Sequence, residues 1–302
     1  MLAIDEKTIT DAALAQMAGT RDPRLKQVME CLVQHLHAFA REIDLTPEEW
    51  IEGIKFLTAV GQMCTPYRQE FVLLSDTLGL SSLVNSLHDR RTTETGTKSS
   101  LLGPFYRQDS PPRNLGESIA ADPKSQEICL YGRITDSAGQ SIANASIQVW
   151  QTDDQGVYDL QRNDPSEMDL RGWFHADAQG RYHLRTVRPL GYLIPLDGPV
   201  GTMIRAQRRH GFRPAHIHFL VGAPGYRELV TALYLRTDEH IDSDTVFGVT
   251  ESLITETASD PSSPFPKLAS IRFDFKLAKS TAQDASGRVG ADPSQITKGV
   301  GH

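Results

Sequence analysis

The spacing of apolar residues changes near residue 127, and this change separates two kinds of structure within the 302-residue chain. Before it, apolar side chains recur at steps of three and four, which is the period of an amphipathic helix. After it, short runs with alternating apolar and polar residues lie between glycine and proline turns, as in β-sandwiches. We therefore predict a mainly β fold, in which an N-terminal α-helical domain at 1–100 precedes a β-sandwich domain at 127–276.

Amphipathic stripes in the first hundred residues predict that the helical domain makes a dimer. Residues 23–43 carry one stripe, formed by Val28, Cys31, Leu32, His35, Leu36 and Phe39. Thr46 and Glu49 match a capping box around a helix start at Pro47. A second Thr-Pro pair at 65–66 predicts a further helix that extends to Leu87. The stripes exceed what one thin helical layer needs, so we expect a homodimer joined through residues 1–100.

The segments outside these two domains differ in composition from both. Residues 101–126 have loop composition apart from an apolar island at 101–106, which we expect to line a pocket. The sandwich is predicted to contain six strands, at 128–134, 145–150, 181–185, 215–221, 229–235 and 270–275. Residues 277–302 are rich in Ser, Gly, Asp and Lys, which predicts a mobile tail.

Charge and cysteine content restrict the classes of partner and the compartment. The formal net charge of −7 disfavours a nucleic-acid partner, because such proteins usually carry a basic face. The three cysteines form neither a disulfide framework nor a CxxC metal motif, which favours a reducing cytoplasm. We find no run of 18 apolar residues, so no membrane span is predicted.

Two histidines, His216 and His218, alternate with Ile217 in a predicted strand and therefore point to the same face. Two neighbouring imidazoles on a stiff element suit one half of a metal site. A cupin-like iron site would need a carboxylate soon after the pair, yet the next acid is Glu228, and no third histidine has zinc-site spacing. Tyrosinate is the remaining donor class, with Tyr158 and Tyr192 as loop candidates, although the pattern alone does not select them among eight tyrosines.

Four segments of the chain carry a common pattern of tyrosine, histidine and arginine. They are Trp-Gln-Thr-Asp-Asp-Gln-Gly-Val-Tyr at 150–158, Gly-Arg-Tyr at 180–182, Pro-Leu-Gly-Tyr at 189–192 and Arg-Pro-Ala-His-Ile-His at 213–218. Together they resemble the intradiol ring-cleaving dioxygenases. The resemblance implies non-haem Fe(III), with Tyr158 and His216 as equatorial ligands and Tyr192 and His218 as axial ligands. It also implies that Arg213 is an active-site arginine. Tyr192 is implied to leave the iron when the substrate binds and to take a proton from the substrate. It allows a lipid at the dimer interface.

Shorter segments indicate the substrate. Leu-Leu-Ser-Asp-Thr-Leu-Gly at 73–79 and Gly-Pro-Phe-Tyr at 103–106 are most similar to members that act on hydroxyquinol (1,2,4-trihydroxybenzene). The resemblance then implies O2 insertion between two adjacent hydroxylated carbons, giving 3-hydroxy-cis,cis-muconate or its tautomer maleylacetate, in aromatic degradation. The implied pocket residues, with Arg213, are Leu73, Asp76, Leu101, Gly103, Pro104 and Phe105.

Two alternatives stay open at this point. Catechol or chlorocatechol could be the substrate, although Ala232 stands where catechol dioxygenases often have glutamine. In a different class, the chain could be a β-sandwich that binds an aromatic ligand without catalysis. Iron content and colour separate the two classes, because ferric tyrosinate absorbs visible light.

Overall fold

The structure, a computed structural model, describes residues 4–65, 68–91, 96–123, 126–162, 164 and 166–280. Its α-helices are α1 (Ile9–Gln16), α2 (Pro23–Glu42), α3 (Pro47–Gln62), α4 (Glu70–Thr77), α5 (Leu80–Arg90) and α6 (Pro199–Ala206). The predicted capping box is confirmed, since the Glu49 main-chain N–H donates to Thr46 Oγ1 at 3.2 Å and the Thr46 N–H donates to Glu49 Oε2 at 3.0 Å. No helix in these ranges is both long and apolar enough to cross a membrane.

The helix predicted to begin at Thr65 and reach Leu87 is wrong in its extent, because the chain forms two helices there. Thr65 and Arg68 pair through their main chains, and α4 begins only at Glu70. Gly79 then separates α4 from α5 with a left-handed φ of 75°. Glycine adopts this conformation without a steric penalty, so it ends one helix and redirects the next.

The chain divides into two compact units, Met1–Ala59 and Val60–His302, which differs from the predicted boundary at residue 100. Helices α4 and α5 therefore belong to the unit that contains the sheets. Long-range polar contacts account for part of this. The buried Glu70 carboxylate of α4 accepts from the Val200 N–H at the start of α6 at 3.2 Å. Arg68 adds an ion pair with Asp197 at 2.8 Å.

Among the described residues, two five-stranded sheets and a short ribbon form the β region. In the first sheet, β1 (Glu127–Asp136) pairs antiparallel with β4 (Arg181–Val187) and parallel with β11 (Ala269–Arg272) and β12 (Phe275–Leu277), and β10 (Ala258–Ser259) pairs with β11. The second has the order β3 (Arg171–His175), β2 (Ser146–Gln151), β7 (His216–Gly222), β8 (Leu229–Leu235), β9 (Ile254–Thr255). The ribbon joins β5 (Tyr192–Leu193) to β6 (Phe212–Arg213).

One hydrophobic core contains side chains from both sheets, as the predicted β-sandwich requires. Ile128 and Leu130 of β1 belong to the same buried cluster as Ile147 of β2 and Ile217 and Phe219 of β7. The alternation predicted for β7 is therefore confirmed on its apolar side. Five of the six predicted strands are present as single strands, whereas the sixth, 270–275, divides into β11 and the start of β12. The sequence analysis missed β3, the ribbon and the short strands β9 and β10.

The predicted tail, 277–302, begins inside the fold. Leu277 ends β12, where it pairs with Asp136 of β1 and is 1% exposed. The Ser280 N–H still donates to the Gly225 carbonyl at 3.0 Å. The predicted start of the tail at 277 was too early, because the polar residues around Leu277 gave no indication that its side chain is buried. Residues 281–302, the rest of the predicted tail, lie outside the described residues.

Candidate active site

The two histidines of β7 lie side by side and are buried. His216 and His218 are 2% and 1% exposed, and their Nε2 atoms are 3.1 Å apart. The Nδ1 of His216 lies 2.6 Å from the Pro214 carbonyl oxygen, which can only accept a hydrogen bond. Nδ1 therefore carries the proton, and Nε2 keeps its lone pair toward the site.

Tyr158 reaches the same point from the turn after β2. Its hydroxyl lies 3.3 Å from His216 Nε2, and the residue is fully buried. Asp153 shapes the turn, because its Oδ1 accepts from the main-chain N–H groups of Gln155 and Val157 at 2.9 Å each. A one-turn 3-10 helix, Asp159–Gln161, follows directly and holds Tyr158, whose N–H donates to Gln161 Oε1 at 2.9 Å.

Tyr192 and Arg213 face each other across the β5–β6 ribbon. Arg213 Nη1 lies 3.5 Å from the Tyr192 hydroxyl and 3.3 Å from His216 Nε2, so one guanidinium contacts two of the predicted ligands. Arg213 is 2% exposed and Tyr192 is 5% exposed. The structure thus brings Tyr158, Tyr192, His216, His218 and Arg213 together in one buried cluster.

Two residues that the sequence analysis missed hold Arg213 in this position. Asp244 binds the guanidinium through both carboxylate oxygens, at 3.2 Å to Nε and 3.4 Å to Nη2. The Tyr234 hydroxyl lies 3.3 Å from Nη2 and 2.9 Å from Ser100 Oγ. The Arg213–Asp244 pair is buried, so each charged group relies on the other to compensate for its loss of hydration. An acid 31 positions away in a loop carries no local signal that could have identified it.

The histidines are neutral at pH 7, as metal ligands must be. Burial and the neighbouring Arg213 charge lower the pKa of His216 to about 3. Burial, with His216 as the next cause, lowers the pKa of His218 well below its ordinary value. Neutral imidazoles present lone pairs, and here two Nε2 atoms converge, an arrangement that a shared cation would stabilise.

The tyrosines require positive charge to ionise. Burial raises the pKa of Tyr158 well above its ordinary value, and it also raises that of Tyr192, while Arg213 acts in the opposite direction on both. A bound metal cation would reverse this balance, as cations do for coordinating acids. Within the part of the chain that the structure describes, no three His, Cys, Asp or Glu side chains group to hold a metal. With the two imidazole nitrogens, the two phenol oxygens form a set of four donors of the types that a hard ferric ion prefers.

Aromatic rings pack around this donor set. Trp150 of β2 stacks on His218 with ring centroids 4.8 Å apart and planes 3° from parallel, which fixes the imidazole plane. Phe105 stacks on Tyr158 at 4.2 Å and meets the Tyr192 ring edge-on at 6.0 Å. Phe105 belongs to the apolar island, so this part of the predicted pocket segment does lie at the site.

Gly103 lies in the same segment, next to His218. Its left-handed φ of 71° favours glycine, whereas a Cβ atom there would lie 3.5 Å from His218 Nε2, an ordinary van der Waals distance. The neighbouring Leu101 is 3% exposed. Pro104 lies between Gly103 and Phe105 in this segment.

Asp76 reaches the site electrostatically from α4. It is 5% exposed, and burial raises the pKa of its carboxyl, while a hydrogen bond with Ser81 and the charge of Arg213 lower it. Asp76 in turn raises the pKa of Tyr192. Leu73 is buried one turn earlier on the same helix. Ala232 lies directly across from His218 in the β7–β8 pairing and is fully buried, so a small apolar side chain occupies that position.

Comparison with known proteins gives consistent matches along most of the chain. A family model described as "Dioxygenase" matches residues 102–279, and one described as "Catechol dioxygenase N terminus" matches residues 22–96. The chain is 42% identical to a 6-chlorohydroxyquinol 1,2-dioxygenase of Cupriavidus pinatubonensis, over 92% of this chain and 99% of that protein. It is also 42% identical to a hydroxyquinol 1,2-dioxygenase of a Rhizobium species, over 83% of this chain and 85% of the relative.

A solved structure agrees with these relatives. The hydroxyquinol 1,2-dioxygenase of Pseudomonas putida DLL-E4 superposes with a TM-score of 0.83 at 41% identity, over 91% of this chain and 99% of that one.

Proposed function

Because this chain belongs to the intradiol ring-cleavage dioxygenase family, we propose that it cleaves hydroxyquinol with O2 between the two adjacent hydroxylated carbons. The product would be 3-hydroxy-cis,cis-muconate or its tautomer maleylacetate, an intermediate in the degradation of aromatic compounds. The observation that carries the proposal is the convergence of two imidazoles and two phenols beside a buried arginine. The relatives named for hydroxyquinol and its chlorinated form support this substrate class.

We further propose that Tyr158, Tyr192, His216 and His218 hold Fe(III). The two neutral imidazoles and two phenols match the preference of a ferric ion for nitrogen and anionic oxygen donors. When bound, the ion withdraws electron density from the diol, so that the ring becomes reactive toward O2. The protein supplies the rest: it excludes water, orients the ring and manages protons.

Tyr192 and Arg213 are the residues proposed to act on the substrate. The Tyr192 phenolate oxygen would accept a proton from a substrate hydroxyl, as a general base does. Arg213 lies next to both Tyr192 and His216, so its guanidinium would stabilise negative charge that develops on the ring oxygens. Asp244 keeps that guanidinium in place.

The proposed pocket is formed by Leu73, Asp76, Leu101, Gly103, Pro104 and Phe105. Phe105 stacks on Tyr158. We propose that another part of the Phe105 ring contacts the aromatic ring of the substrate. Asp76 is the polar member of this set, and we propose that it recognises the third hydroxyl of hydroxyquinol. A site that hydrogen-bonds a substrate hydroxyl discriminates strongly against analogues that lack it.

Replacing Asp76 by alanine is expected to lower kcat/KM for hydroxyquinol far more than for catechol. A lost hydrogen bond to a charged group costs roughly 1.5–3 kcal/mol, which is about a ten- to hundredfold change in preference. Steady-state kinetics with both substrates measures this ratio, and Asp76→Asn, which keeps the shape, serves as the conservative comparison. Equal losses on both substrates would show that Asp76 supports the fold instead.

Oxygen uptake with hydroxyquinol, catechol and chlorocatechols side by side tests the proposed function. We expect the highest kcat/KM with hydroxyquinol. Ala232 favours this result, because it places no polar side chain opposite His218 where catechol enzymes often have glutamine. Catechol or chlorocatechol as the preferred substrate would overturn the substrate assignment while leaving the reaction class intact.

We propose that the partner is a second copy of the chain, bound through the N-terminal helices. Helix α2 carries exposed apolar side chains at helical spacing, including Leu32 at 47%, Leu36 at 55% and Phe39 at 54%. An exposed apolar stripe of this length is costly in water and typical of an interface. A lipid at this interface belongs to the same proposal, and mass spectrometry of an organic extract tests it.

Light scattering at micromolar concentration is expected to give twice the mass of one chain. The double substitution Leu32→Glu with Leu36→Glu should yield monomers, because two charges would be buried in the apolar stripe. Gln34→Glu, on the exposed opposite face of α2, should remain dimeric. A monomeric wild-type protein would refute the homodimer. We also propose a cytoplasmic location, which is consistent with three free cysteines.

A further inference from the structure

A buried ion pair lies behind the active site and takes no part in the functions described above. Arg171 on β3 and Asp159 are each 1% exposed. Arg171 Nε donates to Asp159 Oδ2 at 2.5 Å, and a second, shorter contact joins Nη2 to Oδ1. The guanidinium also donates through both terminal nitrogens to the main-chain carbonyl of Phe105, at 3.2 Å each.

This pair connects the two parts of one aromatic stack. Asp159 directly follows Tyr158 and begins the 3-10 helix that holds it. Phe105, whose carbonyl Arg171 binds, lies on the Tyr158 ring with centroids 4.2 Å apart. One arginine side chain therefore binds both sides of this contact: the main-chain carbonyl of Phe105 in the pocket segment, and the side chain of Asp159, which follows the proposed iron ligand Tyr158.

The rigid planar shape of the guanidinium is what makes this connection specific. It presents several donors in a fixed fork, so it can bind a carboxylate and a carbonyl together. Buried ion pairs add little net stability compared with apolar packing, and specificity of structure is their better-supported role in some proteins. Phe105 lies outside the helices and strands, so its position depends on such contacts.

We propose that Arg171 is a positioning residue for substrate binding: anchored by Asp159, it holds the Phe105 carbonyl so that the Phe105 ring lies against Tyr158 and forms a wall of the substrate pocket. The inference rests on the proposed function for its kinetic consequence. Its structural consequence, the fixing of the segment around Phe105, is independent of that function and of iron.

The chain offers a matched control in Arg185. This arginine also lies on a strand, and it also binds a carboxylate, Glu127 at 3.2 Å, and a main-chain carbonyl of the preceding loop segment, Gly116 at 3.1 Å. It contacts none of the aromatic residues of the stack, since its ring neighbour is Phe265. Arg185→Lys therefore makes the same chemical change outside the site.

The test uses Arg171→Lys, Phe105→Ala and their combination. Lysine keeps a positive charge opposite Asp159 but cannot bind the carboxylate and the carbonyl as a fork. We expect Arg171→Lys to raise KM for hydroxyquinol about tenfold, the size of one lost hydrogen bond of this kind, with kcat nearly unchanged. The double variant should be no worse than Phe105→Ala alone, because Arg171 acts through Phe105. Arg185→Lys should leave KM unchanged.

Hydrogen exchange of the metal-free protein supplies the second readout. In Arg171→Lys the main-chain amides of residues 105–108 should exchange about tenfold faster than in the wild type. If Arg171→Lys folds poorly, Asp159→Asn replaces it and should also raise the exchange rates of these amides. Unchanged exchange there, or additive effects on KM in the double variant, would overturn the inference. Wild-type protein that does not oxidise hydroxyquinol would refute the proposed function, and the exchange experiment would still decide the role of Arg171.

Discussion

Tyr158→Phe is expected to abolish most of the visible absorption of the purified protein and to lower activity more than about a hundredfold. Even partners that only orient metal ligands are worth ten- to hundredfold in metal affinity or activity, and phenylalanine supplies no oxygen donor at all. His216→Ala and His218→Ala should lose iron, because each removes one of two neutral nitrogen donors that converge at 3.1 Å. Elemental analysis, absorption spectra and oxygen uptake on the same preparations measure these outcomes.

Tyr182→Phe is the matched control for the tyrosine substitution. Tyr182 is also buried, and its hydroxyl donates to a main-chain carbonyl, that of Phe273, at 2.8 Å. It lies in the hydrophobic core of the sandwich, so its loss should leave iron and colour intact. The ligand assignment would be wrong if Tyr158→Phe and both histidine variants kept full iron content and turnover.

Arg213→Met is expected to damage both stability and catalysis. It leaves Asp244 buried without its partner, and breaking a buried pair in this way costs roughly 3–5 kcal/mol of unfolding free energy. It also removes the guanidinium beside Tyr192 and His216, and loss of one such stabilising donor lowers kcat by about 10²–10³-fold. Urea unfolding and steady-state kinetics measure the two effects separately.

The double substitution Arg213→Met with Asp244→Asn distinguishes the two roles. Asp244 also accepts from the main-chain N–H groups of Val246 and Gly248, at 3.3 and 3.0 Å, and asparagine keeps one oxygen acceptor for them. Removing both charges eliminates the unpaired carboxylate, so part of the lost stability should return, whereas activity should stay low. If activity returned together with stability, Arg213 would be a structural residue. If Arg213→Met alone left both properties unchanged, the buried pair would be unimportant to this enzyme.

The sequence predicted local features well because local physics determines them. The capping box at Thr46 and Glu49 depends on two residues three positions apart, and it forms as expected. The alternation of His216 and His218 with Ile217 follows from strand geometry, and both histidines face one site. Choosing Tyr158 and Tyr192 among eight tyrosines needed the family resemblance. Neither local segment indicates that its tyrosine is buried or that the two hydroxyls lie in the same cluster as the histidines.

Features that depend on distant contacts escaped the sequence analysis. Helix α6 was missed, and its start is bound by Glu70, which lies 130 positions earlier. Asp244 and Arg171 were also missed, because each acts through partners that are 12 to 66 positions away. The helix break at Gly79 was the exception, since a glycine between two apolar stripes is a local signal that could have been used.

The most direct test of the proposed reaction follows the two atoms of O2 into the product. Iron-loaded protein is incubated with hydroxyquinol under ¹⁸O2, and the product is analysed by mass spectrometry while oxygen consumption is recorded. We predict one O2 consumed per hydroxyquinol, with a ring-opened product that has gained both oxygen atoms, one at each of the two adjacent hydroxylated carbons. Release of hydrogen peroxide with an intact ring, or cleavage beside rather than between these two carbons, would contradict the account.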